Sequence, residues 1–386
     1  MTPNLRIALV GGGLGGLTAA LALNRRGFHE VHVFEQSNKL RELGAGIGIS
    51  PNPLKVLRAL GLEEEVKRYG TEIEAIAMRD WTTGQELFRQ RLKGVNEGRF
   101  GLTNMQAHRG DLLNILAAAI SNSQIHLDSR CVGIASSDRA ASLTLNDGTQ
   151  EEFDLVVGCD GISSRVRAAL HGPESPRFTG NMCWRALVDT EKLPSGHLPP
   201  DTTFWVGPGG HIVTYYVRHG ALVNVVAVRE TDTWLEESWS VEGNIEELLA
   251  AFPNVHDKLR ILLQQAGHCF KWGLFDRDPL PTWSRQRVTL LGDAAHPMLP
   301  FLGQGVAMAI EDAYVLAREL ARSPHDIASA LRAYEAERVP RTSQVQMASR
   351  ERGRILHMKS RWDPNESATL NIDWLYHYDP TCARIE

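Results

Sequence analysis

The chain has 386 residues, 43% of them hydrophobic and 23% charged, with a net charge of -5 and a pI near 6.3. That length predicts two domains rather than one, the composition is that of a soluble globular protein, and the mild acidity excludes the basic footprint that nucleic acid or anionic lipid requires. The five cysteines, Cys131, Cys159, Cys183, Cys269 and Cys382, form no CxxC or other metal-ligand spacing, which predicts reduced thiols, no metal and a cytoplasmic location.

Ile7 to Leu23 is free of charge and follows Arg6, as a signal peptide or a short membrane span would, yet five of its residues are glycine and no small-residue cleavage site follows. A buried strand, turn and helix is the expectation. The strand leads into Gly11-x-Gly13-x-x-Gly16, with Gly15 inside the motif. Gly11 permits a tight turn, Gly13 lets a pyrophosphate approach the backbone, and Gly16 brings helix close to strand. Free N–H groups and the positive dipole at the helix start favour phosphate. A second strand, VHVFEQ, alternates Val31 and Val33 and ends at Glu35, 19 residues after Gly16, where a carboxylate can hydrogen-bond an adenosine ribose.

Further on, a helix is expected around Pro53 to Leu60, β structure from Ile73 to Phe88, and a helix over HRGDLLNILAAAI with Leu112, Leu113, Leu116 and Ile120 as its apolar positions. Asp147 and Gly148 mark a hairpin, and a buried strand from Phe153 to Val157 ends at Asp160 and Gly161. Strands dominate from Phe178 to Trp272. One of them, HIVTYYV, would put His211, Val213 and Tyr215 on one face. The chain returns to an apolar strand at RVTLLGD, which delivers Asp293 at its end. Two prolines and two glycines then lead to a helical pattern with Val306, Ala309, Ile310, Ala313, Leu316 and Leu320 on one face. There is no internal repeat and no low-complexity linker, and the order fits a nucleotide domain interrupted by a mostly β domain.

Three motifs in sequence carry a resemblance: the GxGxxG with Glu35, CDGISSRVR at Cys159 to Arg167, and GDAAHPMLPFLGQG at Gly292 to Gly305. Over nearly its whole length the chain resembles the class A flavoprotein aromatic hydroxylases, the single-component family of p-hydroxybenzoate and salicylate hydroxylases. The implied fold is an α/β Rossmann-like FAD-binding domain drawn from residues 1–71, 100–177 and 273–340. A β-rich substrate domain from residues 72–99 and 178–272 interrupts it, and a helical segment over residues 341–386 closes the chain.

The resemblance implies that Asp293 accepts from the FAD ribityl hydroxyls, that Pro300 lies beside the isoalloxazine, and that the helix following Gly303 and Gly305 points its positive end at the flavin. Arg109, in HRGDL, would reach the pyrophosphate region, and as a plain surface arginine it would merely open a helix. Asp160, Ser163 and Arg167 would form a second cofactor contact set, with Ser163 or Ser164 as the capping residue if that segment is only a turn. NADH or NADPH would dock transiently, since no second GxGxxG is present. FAD would be held non-covalently and reduced, O2 would form a C4a-hydroperoxide, and the protein would supply position, a dry pocket and a base for a ring hydroxyl. His211 and Tyr215 stand where hydroxylases of this branch carry a substrate-facing His and Tyr, and a His of near-neutral pKa suits the base. His296 and His108 are expected to be structural, Trp184 to be core, and Arg185 to be able to line the pocket. Salicylate and 6-hydroxynicotinate hydroxylases tend to carry His where this chain has Phe301, which should make one side of the pocket more apolar.

The expected partner is a small hydroxylated aromatic acid, salicylate- or 3-hydroxybenzoate-like, with no nucleic acid and no membrane, and a homodimer is allowed. A 6-hydroxynicotinate-type pyridine hydroxylase and a non-catalytic FAD-binding redox sensor are the alternatives. A flavin-dependent halogenase lacks its WxWxIP signature here, a disulfide reductase lacks CxxC, and a nicotinamide-only dehydrogenase leaves the second and third motifs idle.

Overall fold

The computed structural model describes residues 4–40, 45–232, 241–357 and 372–382. The expected first strand, Ile7–Val10, is the centre of a five-stranded parallel sheet in the order Val288–Leu290, Leu155–Gly158, Ile7–Val10, Val31–Phe34, Ile125–His126. The four expected ligand-bearing strand ends therefore lie side by side. Val10 pairs with Phe34 on one flank and Gly158 on the other, and Gly158 pairs with Leu290. Strands covered on both faces read as continuous apolar runs, which is why IALV, LVVG and VTL show no alternation.

Helix Leu14–Asn24 packs on this sheet, and Gly16 is what lets it: a Cβ there would lie 2.0 Å from the Gly11 carbonyl oxygen. The helix expected after the third motif runs Gly305–Arg322. It is buried nearly all round rather than along one stripe, and Val306 and Ala309 are only half-buried. The reason is the 30-residue helix Ile327–Leu356, which packs on its polar side and brings arginines to its acids. Arg338 Nη1 donates to Glu311 Oε2 and Arg338 Nε to Asp312 Oδ1, each at 2.7 Å, and Arg341 Nε donates to Glu311 Oε2 at 2.7 Å. The long helix passes residue 340 without a break despite Pro340. Residues 358–371 and 383–386 of the C-terminal segment lie outside the described residues, and a short helix covers Asp373–His377.

The second large element is an eight-stranded sheet in the order Val241–Gly243, Cys269–Asp276, Arg177–Asp189, Leu222–Glu230, Gly210–Val217, Thr202–Gly207, Ala75–Asp80, Glu86–Arg91. One face is covered by two helices, Ile245–Ala251 and Asp257–Gln264, inside a stretch expected to be dominated by strands. Their signal was present: Leu248, Phe252, Leu259, Leu262 and Leu263 follow a helical spacing, and Asn244 caps the first by accepting from the Glu246 N–H at 2.7 Å. The opposite face packs Met78, Val206, Val226 and Trp272 against Leu299 and Phe301 of the third motif and Leu356 of the long helix. A small sheet, Gly46–Ile49 with Met105–His108 and Thr71–Glu72, lies beside it. Among the described residues no helix is long and apolar enough to cross a membrane.

Candidate active site

The glycine turn is built for an anionic guest. Gly11 has φ +116°, a conformation that side chains oppose, while a Cβ on Gly13 would meet nothing within 4 Å, so the space over it is open. Gly13 begins the helix with no side-chain cap and no acid in the first turn. The peptide N–H groups there remain to be satisfied from outside. Gly15 faces the third motif, since a Cβ on it would lie 2.8 Å from the Leu291 side chain. Glu35 accepts from Gly12 N–H at 2.8 Å and Ser37 N–H at 2.9 Å. A carboxylate has about four acceptor sites, so capacity for sugar hydroxyls remains.

Asp293 follows the strand end Val288–Leu290, two places from Ile7–Val10 in the sheet. It is open to solvent on one side and surrounded by protein on the others, and that enclosure pushes its carboxyl above the usual range, against the pull of His296 and Arg109. Arg109, the first residue of helix Arg109–Ala118, is thus brought beside a carboxylate 184 residues away, and its own N–H donates to Ala45 O at 2.8 Å. Pro300 opens a single turn, Pro300–Leu302, that Gly303 ends at φ +64°. Gly305 then starts its helix next to Asp293, with no side-chain cap from Gln304. An open glycine cradle, a half-enclosed carboxylate and two uncapped helix starts converge here, and these groups fit FAD.

The polar residues of the second motif are also bonded within the protein. Asp160 accepts from Ser164 Oγ at 2.5 Å and from the Arg165 N–H at 2.7 Å, and Ser164, rather than the exposed Ser163, caps helix Arg165–His171. Arg167 is buried and donates to the carbonyls of Ala294 and Ala295 at 3.4 and 3.1 Å and to Glu174 at 3.0 Å. Arg167 therefore braces the turn that carries Asp293, and Asp160 holds the start of the helix that carries Arg167. His296 is structural, as expected: its Nε2 lies 2.5 Å from Asp312 Oδ2. Burial pushes the Asp312 carboxyl up, and His296 and Arg338 more than offset it, leaving it below the ordinary carboxylate value.

His211 and Tyr215 lie on strand Gly210–Val217, and alternation sends both to the face that meets the third motif, while Ile212 joins the far core. His211, 2% exposed, has its ring centroid 5.4 Å from that of Phe301. Tyr215, 8% exposed, closes on the small sheet so tightly that a Cβ on Gly46 would lie 2.5 Å from its ring. Burial raises its hydroxyl to about 12, Arg185 opposing the shift. Arg185 lies over the Trp272 ring at 5.2 Å on this face, whereas Trp184 points into the far core. His108 precedes helix Arg109–Ala118, as expected of a helix-start residue.

Several groups here were not anticipated from the sequence. Asn224, opposite Tyr215 in the sheet, accepts from Gly46 N–H at 2.7 Å. His357, at the end of the long helix, has Nε2 3.0 Å from His211 Nδ1, and its Nδ1 lies 3.5 Å from Glu230 Oε1. Burial first, then His357 and Arg352, hold His211 well below the usual histidine value. Neither Arg352 nor His357 belongs to a motif. Both sit in SRERGRILH, which reads as a solvated helix end until the long helix is laid across the sheet.

The chain matches the family model described as an FAD binding domain over residues 4–349. It is 38% identical to a 3-amino-4-hydroxybenzoate 2-monooxygenase of Streptomyces platensis over 382 residues, 97% of this chain and 96% of that protein. A 6-hydroxynicotinate 3-monooxygenase of Bordetella bronchiseptica is also 38% identical, over 97% of this chain and 95% of its own length. Among solved structures, a salicylate hydroxylase substrate complex superposes with a TM-score of 0.83 at 27% identity, covering 98% of this chain and 96% of that one.

Proposed function

The chain belongs to the FAD binding domain family and is an FAD-dependent monooxygenase using NAD(P)H and O2, and on that premise we propose that it hydroxylates the ring of a small phenolic or hydroxypyridine acid. The observation that carries the substrate side is the pair His211 and Tyr215 on one face of the large sheet, with His211 against Phe301 of the third motif. FAD, once bound and reduced, supplies the activation of O2. Gly11, Gly13, Gly15, Gly16, Glu35, Arg109, Asp293, Pro300, Gly303 and Gly305 hold and orient that cofactor, and Asp160 and Arg167 add the second contact set.

The chain's own chemistry is the handling of one proton. An electron-rich ring is a better nucleophile as phenolate than as phenol, so the hydroxyl proton must leave. His211 Nε2 takes it, because Nδ1 is engaged with His357 Nε2 at 3.0 Å. A charge on His211 is disfavoured by burial and by Arg352, so the proton does not stay. It passes to His357, whose Nδ1 faces Glu230, a carboxylate 44% exposed at the surface. Tyr215 orients a ring substituent through its hydroxyl, and Phe301 with Val213 and Val226 keeps water away.

A panel of salicylate, 3-hydroxybenzoate, 6-hydroxynicotinate, 3-amino-4-hydroxybenzoate and simple phenols, scored by O2 uptake and product mass, tests this. At least one acid should stimulate NAD(P)H oxidation and gain one oxygen. His211→Ala should then keep FAD yet lose on the order of 10² to 10⁴ in hydroxylation rate, releasing H2O2 in place of product. Full coupling at the wild-type rate in that variant would remove His211 from the role. No stimulation by any compound would favour the redox sensor.

A further inference from the structure

Five arginines are less than 10% exposed among the described residues: Arg167, Arg277, Arg318, Arg338 and Arg352. Four of them face a carboxylate within 3.0 Å. Arg167 and Arg277 share Glu174, Arg318 meets Glu319 and Glu337, and Arg338 meets Glu311 and Asp312. That is the normal arrangement, because an unpaired buried charge costs several kcal/mol. Arg352 breaks the pattern. Its Nε and Nη1 are buried without a hydrogen-bond partner, and no carboxylate among the described residues pairs with it. Its guanidinium lies 5.9 Å from the Phe204 ring, a weak substitute for an anion.

Its location is as informative as its isolation. Arg352 precedes Gly353, where a Cβ would lie 2.5 Å from the Phe301 ring, so this turn of the long helix is pressed against the third motif. Phe204, whose ring Arg352 faces, has its centroid 6.4 Å from that of His211 on the neighbouring strand. The Tyr376 phenol is the other titratable group that bears on it. Burial without a counter-ion pulls the guanidinium down to about 10, so it remains charged at neutral pH.

We propose that Arg352 is the carboxylate anchor of the substrate pocket, the buried cation whose missing anion arrives with an aromatic acid. This rests on the functional reading above. The planar guanidinium offers paired N–H donors in the geometry a carboxylate accepts, and binding there would set a ring hydroxyl at His211. The position would let an otherwise apolar face of the large sheet prefer an acid.

The test uses the FAD-loaded full chain, with Arg352→Met and, as the charge-keeping control, Arg352→Lys. Dissociation constants are read from the flavin absorbance change, for an acid that the wild type hydroxylates and for the same phenol lacking the carboxyl group. Arg352→Met should weaken the acid on the order of 10- to 100-fold, leave the phenol within about 2-fold, and retain flavin. Arg352→Lys should recover part of the acid affinity. The substrate-free melting temperature of Arg352→Met should be equal to or above that of the wild type, since an uncompensated charge has been removed. A structural arginine would give the opposite shift. Unchanged acid affinity in Arg352→Met, or equal loss for acid and phenol, would overturn the proposal. If the wild type itself binds no phenolic acid, the substrate reading fails with it, and that outcome is recognisable before any variant is made.

Discussion

The buried histidine pair makes stability depend on acid in a way that can be worked out in advance. Unfolded, His211 takes up a proton near pH 6.5. Folded, it resists protonation, because it is 2% exposed, touches His357 and lies near Arg352. A base whose folded pKa is depressed makes the unfolded chain the greater proton binder below pH 6.5, so stability rises with pH through that window and levels off above it. For one histidine that stays neutral when folded, lowering the pH from 8 to 5.5 costs about 1.4 kcal/mol, with a limiting slope of about 1.4 kcal/mol per pH unit. Urea unfolding of the wild type and of His211→Phe at half-unit steps between pH 5.5 and 8 would measure it. The wild-type midpoint should fall faster on acidification, and the gap between the two proteins should narrow by about that amount. His357, whose value is also lowered by burial against the pull of Glu230, still titrates in the variant, so the difference reports His211 together with its contact to His357. Parallel pH curves for the two proteins would refute the claim that His211 is held neutral, and with it the idea that a proton placed there is driven onward.

Asp293→Ala and Gly13→Val should each purify with far less than one FAD per chain, measured by the ratio of flavin to protein absorbance, because one loses the acceptor and the other fills the open space over the turn. Stoichiometric flavin in both variants would contradict the placement of the recess. Arg338→Met should destabilise by about 3 to 5 kcal/mol in denaturant unfolding, since Glu311 and Asp312 keep Arg341, Asn52 and His296 as partners but lose a fully buried cation. A loss below about 1 kcal/mol would mean that the network is already neutral through bound protons.

Sequence by itself settled the nucleotide half of this protein. Three apolar strands each ended in a chemically specific turn, and local rules sufficed: Gly11 needs positive φ, Gly16 needs to lack a Cβ, and Asp293 ends a strand before a helix start. Period-two alternation likewise placed His211 and Tyr215 on one face, because side-chain direction in a strand is fixed by the backbone alone. Other features depended on elements distant in sequence. Helix Gly305–Arg322 looked one-sided until the long helix covered its acids with Arg338 and Arg341. That Arg167 also bonds the backbone beside Asp293, at the Ala295 carbonyl 128 residues away, has no signal in the second motif itself. Arg352 and His357 carry no local signal at all, since an arginine in an arginine-rich helix end is ordinarily solvated. Only the packing of that helix on the large sheet buries one of them without a counter-ion among the described residues and sets the other 3.0 Å from His211, 146 residues away. Burial and charge pairing are properties of the assembled fold, and they determine which of the chain's many arginines and histidines can take part in chemistry.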